Sequence, residues 1–89
     1  MSDLTDSEYS ILDELYFVTS FAALHQALPM DKRELIQGLV SLLDRELVMQ
    51  LIFDPLVNDF EKLDVPEPAT LEQSSFVASK KGLLLHNSR

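Results

Sequence analysis

The residues best suited to bind an anionic partner lie on Pro29 to Phe53, PMDKRELIQGLVSLLDRELVMQLIF. If Leu35, Leu39, Leu42 and Leu43 face a core, a helix here turns Lys32, Arg33, Ile36, Gln37, Val40, Ser41 and Asp44 outward. Arg33 and Gln37 suit base edges, since Arg pairs with guanine and Gln with adenine in the major groove, and Lys32 suits a phosphate. Ile36 and Val40 form an apolar stripe beside them, and apolar residues on an exposed helix face call for a partner. Three readings of this helix stand: burial against a protein partner or second copy, burial inside its own fold, and contact with DNA.

A second cationic set is Lys80, Lys81 and Arg89. Lys80 and Lys81 fall in the first turn of a helix, where the dipole disfavours cations. They read either as phosphate contacts or as a solvated pair. Other chemistry finds less support. His25 and His86 are the two histidines, in no zinc-binding spacing, and each reads as a surface or internally satisfied side chain. Asp54, Asp59, Glu61 and Asp64 lack the alternate spacing and central glycine of a calcium loop. Ser79 has no evident base, and Gly38 and Gly82 alone build no phosphate-cradling loop. Asp13 and Glu14 are adjacent on a helix and do not face each other. The chain is therefore expected to be non-enzymatic, with no cofactor and no metal.

Bulk charge weighs on the DNA reading. Among 89 residues, fifteen acids against seven Lys and Arg leave a net charge of −8. Such a field repels phosphate backbones and anionic lipid, and non-specific DNA affinity comes mainly from phosphate neutralisation. A local basic patch, or a dimer that gathers cations on one face, would be needed to overcome it. No apolar run approaches the ~20 residues of a membrane span. The start MSDLTDSEYS is polar and acidic, unlike a signal peptide, and cysteine is absent, so a cytoplasmic setting is expected.

The positioning elements follow from caps and periodicity. Thr5 to Glu8 matches a capping box, and Ile11, Leu12, Leu15 and Tyr16 recur at helical spacing, which predicts a first helix over 5–17. A short second helix over 20–28 carries Ala22, Ala23 and Ala27, small enough for another helix to approach closely, and stops at Pro29. Asp31, with Glu34 three residues on, caps a third helix over 31–45. Gly38 lies inside it at a cost of about 0.5–1 kcal/mol relative to Ala, which a close helix crossing would explain. Val48 to Phe53 reads as a strand. Asp54-Pro55 with Leu56, Phe60 and Leu63 at i, i+4, i+7 predicts one or two helical turns within an acidic insertion over 54–72. These turns would dock a partner or fold over the sheet's open edge. A Pro-rich loop, a second strand over 73–78 and a last helix over 79–86 complete one domain.

In this order the chain resembles the winged helix-turn-helix superfamily, nearest to small bacterial regulators of the multiple-antibiotic-resistance type. The matching features are the paired helices from Ser20 to Arg45, the exit of Leu42 through Leu47-Val48 into a strand, and Ser79-Lys80-Lys81-Gly82, similar to the family's Thr-x-x-Gly after the wing. The resemblance implies an α+β, mainly helical winged-helix fold: a three-helix core, a small β-wing and a short C-terminal helix. Three features depart from the pattern. Glu46 stands where the family commonly has Gly. The wing is long and acidic, carrying Asp54, Asp59, Glu61, Asp64, Glu67 and Glu72 against Lys62. The last helix does not run on into a long dimerisation helix.

The expected function is a non-enzymatic, regulatory winged-helix module that works by protein–protein contact or self-association as a homodimer, with Ile36 and Val40 as its face. The alternative is a dimeric DNA-binding regulator of transcription using Lys32, Arg33, Gln37, Ser41, Lys80 and Lys81.

Overall fold

The computed structural model describes residues 4–63 and 67–88. Asp64 and Arg89, both considered above, lie outside them. The fold is α+β, about 51% helical, with one four-stranded antiparallel sheet.

Helix α1 (Asp6–Asp13) starts on the capping box: the Glu8 amide donates to Thr5 Oγ1 at 3.1 Å, and the Thr5 amide donates to Glu8 Oε1 at 2.9 Å. It ends four residues before the expected Phe17. The Leu15 carbonyl instead accepts the Ala78 amide at 2.8 Å, so the chain leaves the helix to join the sheet. That exit creates a strand the periodicity did not announce, β1 (Thr19–Ser20), with Thr19 opposite Phe76 and Ser20 opposite Ser75. Ser20 then caps α2 (Phe21–Ala27). Phe21 and Leu24 are the buried side of α2, while Ala22, Ala23 and Ala27 are exposed and mediate no close helix approach.

Asp31 Oδ1 accepts the Glu34 amide at 2.8 Å and starts α3 (Lys32–Asp44). Leu35, Leu39, Leu42 and Leu43 line its core side with Ile11, Leu12, Leu15, Leu24 and Phe76. A Cβ on Gly38 would sit 2.5 Å from Ile11 Cδ1, so α1 and α3 cross there. The helix ends in a Schellman motif: the Leu47 amide reaches the Leu42 carbonyl at 2.9 Å, and the Glu46 amide reaches the Leu43 carbonyl at 3.0 Å. Glu46, at φ 60°, holds the left-handed position that favours glycine.

The chain then enters β2 (Val48–Asp54), turns, and returns as β3 (Asp59–Lys62), pairing Phe53 with Phe60 and Ile52 with Glu61. The expected helical turns on Leu56, Phe60 and Leu63 are therefore corrected to a β-hairpin. Asp54 Oδ1 accepts the Leu56 amide at 2.9 Å and so caps a tight turn rather than a helix, and Asn58 at φ 55° closes it. A 3-10 helix (Pro68–Gln73) replaces the second half of the expected loop and buries Leu71. It absorbs Gln73, so β4 spans Ser75–Ala78. The strand order is β1-β4-β2-β3. Ser79 caps α4 (Lys80–Asn87) through the Gly82 amide at 3.0 Å.

Candidate functional site

The expected DNA-contacting set does not assemble into one surface. Lys32 is paired with Glu72 of the 3-10 helix at 2.6 Å. Ser41 faces α1, where its hydroxyl donates to Glu8 Oε2 at 2.6 Å, so it is part of an internal network and not an outward group. Lys81 donates to the Arg45 carbonyl at 3.4 Å, at the far end of α3. Thirteen residues rising 1.5 Å each put that end roughly 18 Å from Lys32 and Arg33. Arg33, Gln37 and Lys80 are exposed, with Arg33 and Gln37 sharing the outer α3 face with Val40 and Asp44. The two cationic groups are thus divided by the length of the helix, and an acid closes the outer row.

The expected partner face is also smaller than its sequence. Ile36 is half-buried against the core cluster, which leaves Val40 as the exposed apolar residue of the stripe, at 38%. Ile36 thus packs part of its side chain on the core's edge and offers less of it to a partner.

The largest exposed apolar residues lie elsewhere: Phe53, Leu56, Val57 and Phe60 on the β2–β3 hairpin, Tyr16, Phe17 and Val18 between α1 and β1, and Leu84 on α4. Strand residues alternate between faces, and Val48, Gln50, Phe76 and Ala78 point into the molecule, where all four are buried. Gln50, the one polar residue of Val48–Phe53, is on this inner face. Its Nε2 donates to Ser74 Oγ at 2.8 Å and to the Glu67 carbonyl at 3.2 Å, while its Oε1 accepts the Glu67 amide at 2.9 Å. A buried amide so fully partnered costs little to bury. Its consequence is that Met49, Leu51 and Phe53 take the outer face, with Val77 beside Met49 and Phe60 beside Phe53.

Leu51 is buried yet stands outside the core cluster. Phe53 and Phe60 meet edge to face at 5.4 Å and are 46% and 41% exposed. At the hairpin tip Leu56 is 94% exposed and Val57 62%. The opposite row of the hairpin carries Asp54, Glu61 and Asp59, so the hairpin is amphipathic in the sense opposite to a basic wing. Of these residues, Leu56 and Phe60 were expected to dock a partner or cover the sheet's edge, though as part of a helix; Met49, Phe53, Val57 and Val77 were not expected at a contact surface. An apolar run with a single polar residue, Gln50, suggests that the polar residue marks the solvent side, and here it marks the core.

Two buried polar clusters tie α1 to its neighbours. Glu8 is buried between α1 and α3. Burial pushes its carboxyl up, but the Ser41 hydroxyl, the Thr5 amide and hydroxyl, and Arg45 at 3.9 Å outweigh this and hold it below the usual carboxylate range. His86 of α4 is buried, not a surface histidine: its ring stacks on Tyr9 at 4.3 Å, and Nδ1 lies 3.0 Å from the Tyr16 hydroxyl. Its Nε2 lies 3.4 Å from Asp13 Oδ1 and makes no hydrogen bond among the described residues. The cluster holds α4 against α1. It contains no serine, cysteine or lysine nucleophile.

Among the described residues, no group of three His, Asp, Glu or Cys side chains could hold a metal ion. No helix among them is long and apolar enough to cross a membrane. Comparison with protein-family models, with curated proteins and with solved structures gives no match for this chain.

Proposed function

We propose that this chain is a non-enzymatic, regulatory winged-helix module that acts by protein contact, and that its contact surface is the outer face of the sheet with the β2–β3 hairpin. The winged-helix reading draws on the three helices, the Schellman exit from α3 into β2, and the pairing of β1 with β4 and of β4 with β2. In this reading β3 is an inserted strand that lengthens the wing. The observation that carries the functional reading is the exposed apolar end of the hairpin: Gln50 is held inside, while Phe53 and Phe60 stand exposed on the other face of β2 and β3, with Leu56 and Val57 at the tip. An apolar sheet face of this kind calls for a cover.

The role of α3 in this module is architectural. Its leucines build the core, its cap sets the start of β2, and Lys32 and Ser41 hold the 3-10 helix and α1. The test is a titration of the full chain against labelled random-sequence duplex DNA at low salt. Flat curves agree with a protein-contact module. Salt-sensitive binding that Arg33→Ala weakens would overturn it in favour of a DNA-binding regulator, because counterion release gives phosphate contacts a steep salt slope.

A further inference from the structure

We infer that the occupant of the outer sheet face is a second copy of this chain. The inference rests on the reading of that face as the contact surface, and three observations select a copy of the chain as its occupant.

The first is how charge is distributed on the hairpin. A domain with net charge −8 can meet its own copy only where its acids are turned away. Alternation along β2 and β3 does this: Asp54, Asp59 and Glu61 occupy one side, and Phe53, Phe60 and Lys62 occupy the other. Across the outer rows Met49–Val77, Leu51–Ser75, Leu51–Lys62 and Phe53–Phe60, the one charged residue is a lysine. A face shaped for a basic partner would place its acids on the contact side. Here they are on the other.

The second is size. Phe53, Phe60, Leu56 and Val57, with a smaller share from the mostly buried Met49 and Val77, present roughly 400–500 Å² of apolar side chain. That supplies more than half of the ~800 Å² each partner contributes to a standard interface. Polar Ser75, Lys62 and Asn58 around it furnish a rim.

The third is the patch's lack of a dominant charge, which suits a twofold contact. A twofold contact uses one patch twice, so it needs a surface without a dominant charge of either sign. The outer sheet face meets this condition; the outer α3 face, with Arg33 at one end and Asp44 at the other, offers mixed charge and one exposed apolar residue.

The experiment is sedimentation velocity on the full chain from ~5 to ~200 µM, at low and at ~0.5 M salt. The expected result is a monomer–dimer equilibrium that tightens as salt rises, because screening removes like-charge repulsion while apolar contact persists. Leu56→Glu and Phe60→Glu raise the dimer dissociation constant at least tenfold with the circular dichroism spectrum unchanged; Tm stays at the wild-type value for Leu56→Glu and falls slightly for Phe60→Glu, which gives up the edge contact with Phe53. Val40→Glu, on α3, leaves the dimer unchanged.

A monomer at every concentration and salt overturns the second copy, as does a dimer that Val40→Glu disrupts and Phe60→Glu does not. A photo-cross-linker at position 56 in cells producing the full chain separates this failure from failure of the protein-contact reading. A monomer whose adduct has a mass other than two chains removes the second copy and leaves the contact face in place. A monomer without any adduct, or with salt-sensitive duplex binding, removes both.

Discussion

Gln50 and Ser74 meet at 2.8 Å on the inner side of the sheet, and that contact decides which face of β2 is apolar to solvent. The same amide holds the Glu67 backbone at both its carbonyl and its N–H, so one side chain fastens the end of the 3-10 helix to the strand.

Gln50→Ala should therefore destabilise the domain by about 1–3 kcal/mol, because the Glu67 amide loses its acceptor and the buried Ser74 hydroxyl a donor. The loss should be local in its first signs. Amide exchange at Glu67 and Ser74 should accelerate before exchange in α1 or α3, and urea melts should give the change in stability. Unchanged exchange at these two amides would show that the 3-10 helix is held by other means.

The two glycines should respond differently to alanine. A Cβ on Gly82 would lie 2.0 Å from the Leu47 carbonyl oxygen, a backbone atom fixed by the Schellman turn, and the cost should be about 3 kcal/mol or more. On Gly38 the neighbour is Ile11 Cδ1 at 2.5 Å, the end of a side chain that can rotate. There a gain of about 1 kcal/mol in helix propensity offsets much of the overpacking. Thermal melts of the two variants should rank Gly82→Ala well below Gly38→Ala.

Glu46→Gly should stabilise the protein. The residue is exposed and at φ 60°, so glycine relieves about 1–2 kcal/mol of left-handed strain against about 0.5–1 kcal/mol of added chain entropy. The expected net gain is about 0.5–1 kcal/mol, read as a higher urea midpoint at unchanged slope.

Glu8 gives the fold an acid limb. Its folded carboxyl is held below the ordinary value of 4.5, so its contribution is complete above that value and is lost as pH falls through the folded one. Glu8→Gln should cost about 1–3 kcal/mol at pH 7, since Ser41, Thr5 and Arg45 lose a charged acceptor. Its stability between about pH 5 and pH 3 should then fall less than that of the wild type. Parallel pH curves would assign the acid limb to another carboxylate.

Some of this was legible in the amino-acid order and some was not, for physical reasons. The helix starts at Thr5, Asp31 and Ser79 are local: a side-chain oxygen and an amide three residues on suffice to mark them. The hairpin was misread because Leu56, Phe60 and Leu63 happen to share helical spacing, and Asp54-Pro55 suits a helix start as well as a turn. The competing signal was Asn58, a residue that accepts the left-handed turn position, followed by the polar–apolar–polar order of Asp59-Phe60-Glu61. Strand β1 is two residues long, and its pairing with β4 spans more than fifty residues, so no local pattern carries it. The outer sheet face was hidden for the same reason. Whether Gln50 faces water or core depends on Glu67, Thr70 and Ser74 arriving to meet it.

The most direct test of the outer sheet face as the working surface is the photo-cross-linker yield at position 56 relative to position 37, in cells producing the full chain. Leu56 stands at the hairpin tip, and Gln37 lies on the exposed side of α3. A discrete protein adduct at 56 that Phe60→Glu abolishes, with background yield at 37, is the predicted result. Adducts at 37 with none at 56 would contradict it and move the working surface back to α3.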